Sequence, residues 1–148
     1  MNRETRRHRL HRLAVTFLLA CLALTTNAAA DIAVVADRSL PLSKLSRQQV
    51  ADAYLGKSHH IGTLEIEVVD QLPDSAIRDE FYRKVAGKTQ RELKAYRAKR
   101  MFRGRGSPPQ VVESDEQVKL WLTQHPRGIG YIDSASVDDS LRVLLTVK

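Results

Sequence analysis

The stretch VVDQLPDSAIRDEF, residues 68–81, holds the residue types and spacing from which a binding site could be built. A Pro-Asp-Ser turn here joins an apolar run to an amphipathic one. The four-residue spacing of Ile77, Phe81 and Val85 predicts a helix that starts at the turn and buries one apolar stripe. The same spacing places Arg78 largely on the outer face of that helix.

The start of this helix could bind an anion. The backbone N–H groups of Ser75, Ala76 and Ile77 would lack intrahelical partners, and the helix dipole adds partial positive charge there. A side chain within the turn could instead accept these donors, with Asp74 or Ser75 as the N-cap. The sequence chemistry alone favours the cap.

A second group of donors lies in the segment FRGRG, residues 102–106. Arg103 and Gly104 belong to a glycine-rich loop whose backbone amides could turn toward an anion. The basic residues that precede this loop fit the solvated face of a helix equally well. This pattern makes the loop an additional candidate contact for an oxyanion.

The remaining polar residues do not form a pattern typical of catalysis or metal binding. His59 and His60 are adjacent, so in an extended segment their side chains point to opposite sides. The sequence shows no nucleophile elbow and no paired-carboxylate motif. We therefore predict no enzymatic activity, no catalytic residues, no metal site and no cofactor.

The first thirty residues read as a secretory signal peptide. A cationic start is followed by an apolar run and by small residues, which favours cleavage after Ala30 and a periplasmic location over lipid anchoring at Cys21. Residues 1–30 hold five Arg and one Glu, so the formal charge of +7 falls to +3 for residues 31–148. This modest charge argues against a nucleic-acid partner. Cys21 is the only cysteine of the sequence, so residues 31–148 have none for a disulfide or a thiolate site.

Residues 31–148 alternate between strand and helix patterns. Strands are predicted over residues 32–37, 63–70, 128–133 and 141–147, helices after Ser46, Ser75, Thr89 and Ser114, and a loop over RGRGSPPQVV, residues 103–112. This alternation predicts one α/β domain with helices packed around a mostly parallel sheet.

Three segments resemble the phosphate-binding protein of bacterial phosphate ABC transporters. LSRQQVADAYLGK is similar to that family's segment ending in LGK, VVDQLPDSAIRDEF falls where the family carries R-x-x-GSGTR-x-x-F, and GIGYIDSASV is similar to its GAIGYV strand. The resemblance implies a type 2 periplasmic-binding-protein-like fold. Because such proteins normally have two lobes, it implies a single lobe here, over residues 31–148.

The ligand turn departs from the family pattern. The family's GSGT becomes Asp74, Ser75, Ala76 and Ile77, and the upstream Arg becomes Gln71, while Arg78 matches an Arg of many relatives. Asp74 would repel an anion, and the methyl group of Ala76 hinders close approach to the backbone.

The resemblance implies a secreted solute-binding module that binds phosphate or a related oxyanion weakly. The residues expected to bind are Gln71, Ser75, Ala76, Ile77, Arg78, Arg103 and Gly104. A membrane transporter or a second copy of the chain could be its partner. The alternative is an accessory protein without a ligand, which uses the former cleft face to bind another protein.

Overall fold

The structure is a computed structural model that describes residues 31–148. The predicted signal peptide, its cleavage after Ala30 and the lipid anchor at Cys21 lie outside the described residues. None of the helices in residues 31–148 is both long enough and apolar enough to cross a membrane.

The described residues form seven strands and four helices. The strands are β1 (Ile32–Asp37), β2 (His60–Ile61), β3 (Leu64–Glu65), β4 (Glu67–Gln71), β5 (Gln110–Val112), β6 (Gly128–Asp133) and β7 (Leu141–Val147). The helices are α1 (Arg47–Tyr54), α2 (Ala76–Ala86), α3 (Gln90–Phe102) and α4 (Asp115–Gln124), and a short 3-10 helix covers Ser134–Ser136.

Five strands form the central sheet in the order β5-β4-β6-β1-β7. Strands β5, β4 and β6 are parallel, whereas β1 is antiparallel to both β6 and β7. Four of the five strands therefore run in one direction, which confirms the prediction of an α/β domain with a mostly parallel sheet. The strands β2 and β3 form a separate small hairpin.

Both faces of the sheet are covered. Alternate residues of β1 point into two cores: Val34 packs with side chains of α1, α2 and α3, whereas Val35 packs with Val118 and Trp121 of α4. The almost wholly apolar composition of β1 fits burial on both faces. Gly130 of β6 allows α4 to approach closely, because a Cβ at this position would lie 2.4 Å from Cγ1 of Val118.

The predicted helix starts are confirmed, and three of them carry a local cap. The side chains of Ser46, Thr89 and Ser114 each accept a hydrogen bond from the backbone N–H three residues later. Gly87 ends α2 in the left-handed conformation at φ 62°, which glycine adopts without steric cost.

Two predicted boundaries are wrong. The strand predicted over residues 63–70 is broken at the buried Ile66, whose N–H donates to the carbonyl of His59 at 2.8 Å. The last part of the predicted loop, Gln110–Val112, is strand β5, which pairs with residues 69–71 of β4. This strand lies at the sheet edge and directly after Pro109, a position where the missing N–H of proline removes no ladder bond.

Candidate functional site

The turn between β4 and α2 lies at the carboxyl edge of the three parallel strands. Strands β4, β5 and β6 end side by side at Gln71, Val112 and Asp133. Ligands of open α/β sheets bind in crevices outside this edge, where loops leave the strands. The fold therefore places residues 72–75 where a ligand site is expected.

The start of α2 has no side-chain cap. Ser75 is the N-cap residue, yet its hydroxyl donates to the carbonyl of Leu72 at 2.9 Å instead of accepting from the helix. Asp74 is exposed and does not cap the helix either. Among residues 31–148, no acceptor is found for the N–H groups of Ala76 and Ile77. The side-chain cap favoured by the sequence is therefore absent, and these amides are free to receive an acceptor from outside.

Arg78 is buried, which corrects the prediction that it lies largely outside. Only 4% of the residue is exposed, and its Nε donates to Oδ2 of Asp70 at 3.1 Å. Its Nη1 donates to the carbonyl of Pro73 at 3.4 Å and to the side chain of Gln90. The first turn of α2 lies over the end of β4, so the side chain of Arg78 can reach the buried carboxylate of Asp70. The charge-assisted hydrogen bond to this carboxylate stabilises the buried position of Arg78 more than hydration would stabilise an exposed one.

Asp70 is the centre of a buried polar network that no local sequence pattern indicated. Its Oδ1 accepts from the hydroxyl of Tyr131 at 2.6 Å and from the N–H of Gln71 at 3.0 Å. Its Oδ2 accepts from Arg78, from the hydroxyl of Tyr82 at 3.0 Å and from Nη2 of Arg97 at 3.0 Å. Both oxygens are thus saturated with donors, which allows a fully buried carboxylate to remain in the core.

Three buried tyrosines, Tyr54, Tyr82 and Tyr131, surround this network. Burial is the largest cause that raises the pKa of each hydroxyl well above its usual value near 10, and the charge of Asp70 adds to the effect. The three hydroxyls therefore stay protonated above the pH at which an exposed tyrosine ionises, and they act as donors.

Gln71 also serves the interior of the protein. Its side-chain amide donates to Oδ1 of Asp115 at 2.8 Å and to the carbonyl of Tyr131 at 3.1 Å. The other oxygen of Asp115 accepts from the N–H of Asp133 at 3.1 Å. This pairing joins the ends of β4 and β6 to the start of α4. In the sequence, the only local sign of this contact is that a polar residue, Gln71, ends an apolar strand.

Arg103 and Gly104 lie far from the turn. The start of α3 meets the turn through the side chain of Gln90, which donates to the carbonyl of Pro73. Arg103 follows the other end of this 13-residue helix, and a rise of 1.5 Å per residue separates the two ends by roughly 20 Å. The structure thus brings together Gln71 and residues 75–78 but not Arg103 and Gly104.

Three carboxylates lie at the edge of the sheet from which α2 starts. Asp74 is exposed at the turn itself, and Asp115 and Asp133 are half-buried on the same edge of the sheet. Each lowers the electrostatic attraction for an anion. In the described part of the chain, no three His, Cys, Asp or Glu side chains come together as a metal site.

Comparison with solved structures finds the same fold in phosphate-binding proteins. A Clostridium perfringens protein described as a phosphate ABC transporter substrate-binding protein with bound phosphate is 25% identical, with a TM-score of 0.62. An ABC-type phosphate transport receptor from Vibrio cholerae is 24% identical with a TM-score of 0.63, and PstS from Borrelia burgdorferi is 16% identical with a TM-score of 0.59.

The match covers 78% of this chain but only 45–47% of these three structures. No family model matches the sequence, and neither does any curated protein. The resemblance to phosphate ABC transporter substrate-binding proteins is therefore confirmed at the level of the fold. The chain spans less than half the length of the solved proteins that share it.

Proposed function

We propose that the protein is a secreted, periplasmic solute-binding module that binds phosphate or a related oxyanion at the start of α2. The observation that carries this proposal is the uncapped helix start at the carboxyl edge of the parallel strands. The amides of Ala76 and Ile77 would supply the donors, and the hydroxyl of Ser75 would add a third by turning away from the carbonyl of Leu72. The fold shared with a phosphate-bound protein of Clostridium perfringens supports the same ligand class.

The proposed binding is weak. The side chains of Gln71 and Arg78, both expected from the resemblance to contact the ligand, hydrogen-bond inside the protein. Asp74 adds a negative charge beside the free amides, and a single lobe leaves one side of the anion hydrated. We expect dissociation constants on the order of micromolar to millimolar unless a second copy or a transporter closes the site.

Calorimetric titration of the purified protein with phosphate and with sulfate tests this proposal. Asp74→Asn should tighten binding by about three- to tenfold, because it removes one like charge next to the anion. Ser75→Asp should abolish binding, since its carboxylate would occupy the free amides as an N-cap. Asp139→Asn changes the charge equally at an exposed position of a different loop and should have no effect.

Two results would contradict oxyanion binding at α2. One is the absence of saturable heat up to millimolar phosphate or sulfate in both the original protein and Asp74→Asn. The other is saturable binding that Ser75→Asp leaves unchanged, because the anion would then lie elsewhere.

A second candidate function is that of an accessory protein that binds a protein partner with the same edge. The observation favouring it is that Leu72 is 42% exposed next to Asp74, an arrangement unsuited to a small anion. Immobilised protein should then retain a stoichiometric partner from a periplasmic extract, and Ile77→Arg should release it. Anion binding without such a partner would reject this alternative.

A further inference from the structure

A cavity in residues 31–148 lies at the opposite edge of the sheet from the proposed oxyanion site. It has a volume of about 360 Å³ and is bordered by the ends of α1, α3 and α4, by the start of β4 and by residues 105–110. Small-molecule sites usually have volumes of about 300–1,000 Å³, so the cavity lies in the lower part of that range. A ligand in this cavity would be independent of the proposed function, because the two sites share no residue.

One part of the cavity wall is apolar. Ile66 and Val68 line it from the sheet side, and Met101 and Pro108 line it from α3 and the following loop. Trp121 also borders the cavity and stacks on His125, with ring centroids 3.9 Å apart and an interplanar angle of 10°. This surface would bury the hydrocarbon part of a ligand.

Another part of the wall is cationic. Arg100 and Arg105 border the cavity, and neither has a carboxylate within ion-pair distance among residues 31–148. The guanidinium of Arg100 is held in place because its Nη2 donates to the carbonyl of Gly56 at 2.6 Å. Since a guanidinium has five N–H donors, most of its donors remain free to bind a ligand.

The two glutamates at the rim do not cancel this positive charge. Glu65 contacts Nη1 of Arg127 at 2.6 Å, and Glu67 lies 3.8 Å from Nη2 of the same arginine. Arg127 itself is not part of the cavity lining. Arg127 outside the cavity thus offsets one of the two rim carboxylates, and the two guanidinium groups of Arg100 and Arg105 still exceed the remaining one by one positive charge.

We propose that this cavity binds a small amphipathic carboxylate. The carboxylate would accept hydrogen bonds from Arg100 and Arg105, and a short acyl or aryl body would pack on Ile66, Val68 and Trp121. An inorganic oxyanion fits less well because the apolar wall offers it no donors. A neutral apolar molecule fits less well because it would cover charged guanidinium groups without pairing them.

Fluorescence of Trp121 provides the test, because it is the only tryptophan of the chain and borders the cavity. Hexanoate serves as the probe, hexanamide as its uncharged match and phosphate as an anion without an apolar body. We expect a saturable change with hexanoate and none with the other two probes over the same concentrations. The proposal is overturned if hexanoate gives no saturable change up to tens of millimolar, or if hexanamide binds equally well.

Two matched substitutions locate the probe. Arg105→Gln removes a charged donor from the cavity and should weaken hexanoate binding by about tenfold. Arg103→Gln makes the same change two residues earlier, at a position outside the lining, and should leave binding unchanged. Equal effects of both would mean that the probe responds only to overall charge and would reject the site.

Ser75→Asp distinguishes the two proposed sites. Hexanoate binding should persist in this variant even though phosphate binding at α2 is lost. Loss of hexanoate binding in a variant whose circular dichroism is unchanged would place the carboxylate at α2 and overturn the cavity proposal.

Discussion

Replacement of Asp70 by Asn is the sharpest test of the buried network. The substitution keeps the size of the side chain but removes its charge and replaces one acceptor oxygen with a donor NH₂ group. If the remaining oxygen still accepts the hydrogen bond from the hydroxyl of Tyr131, the new NH₂ group faces Arg78 and Arg97, which are also hydrogen-bond donors. Arg78 cannot turn to water because it is 4% exposed.

The expected cost of Asp70→Asn is about 3–5 kcal/mol of unfolding free energy, the range for a buried ion pair that loses one partner. Domains of this size have a total stability of about 5–15 kcal/mol, so the variant should lose between about a fifth and all of its stability. Urea denaturation followed by circular dichroism measures the difference. Asp139→Asn, at an exposed position, should change the free energy by less than about 0.5 kcal/mol.

A double variant separates charge from packing. Asp70→Asn combined with Arg78→Met removes the buried cation along with its partner, and should cost less than the two single changes added together. A cost below about 1 kcal/mol for Asp70→Asn alone would show that the negative charge is not what holds this network together.

Three further results are expected. First, the unfolding free energy should fall steeply above pH 10. In the unfolded chain the hydroxyls of Tyr54, Tyr82 and Tyr131 ionise above this pH, whereas in the folded protein their raised pKa keeps them protonated. The slope should approach about 4 kcal/mol per pH unit, and Tyr82→Phe should reduce it by a third in urea titrations at several pH values. Second, Gly130→Ala should lower the unfolding free energy by about 1–3 kcal/mol or more, because its methyl group would overlap Val118; a thermal melt within 1 °C of the original protein would contradict this. Third, Ser46→Ala should cost about 1 kcal/mol in urea denaturation, and Ser75→Ala distinctly less, since only Ser46 accepts a capping hydrogen bond.

The local elements were predictable because their signals lie within a few residues. Thr89 and Ser114 are followed three residues later by Glu92 and Gln117, a spacing that predicts a capping box at each. The box at Thr89 is complete, whereas at Ser114 only the serine accepts, because the side-chain oxygen of Gln117 accepts from the N–H of Glu113. The almost wholly apolar run of residues 32–37 is typical of a strand buried on both faces, and β1 has that position. The alternation of such elements was enough to predict the α/β class.

The contacts that define the site were not predictable from local patterns. The spacing of apolar residues places Arg78 on the outer face of its helix, because this spacing carries no information about the buried carboxylate of Asp70. Asp70 receives hydrogen bonds from residues 8, 12, 27 and 61 positions away in the sequence. Strand β5 also depends on a distant contact. Its three residues are too few to show an alternating pattern in the sequence, and they form a strand only because they pair with β4.

The position of β1 has a consequence for the order in which the chain can fold during synthesis. This strand is the first element of the described residues, yet its two neighbours, β6 and β7, are the last two strands of those residues. All the helices α1 to α4 must leave the ribosome before either edge of β1 finds its hydrogen-bonding partner, so β1 joins the central sheet only after β6 has been made. Until β6 emerges, the apolar side chains of β1 have neither of their strand neighbours, so β1 is the strand of residues 31–148 that waits longest for a partner during synthesis.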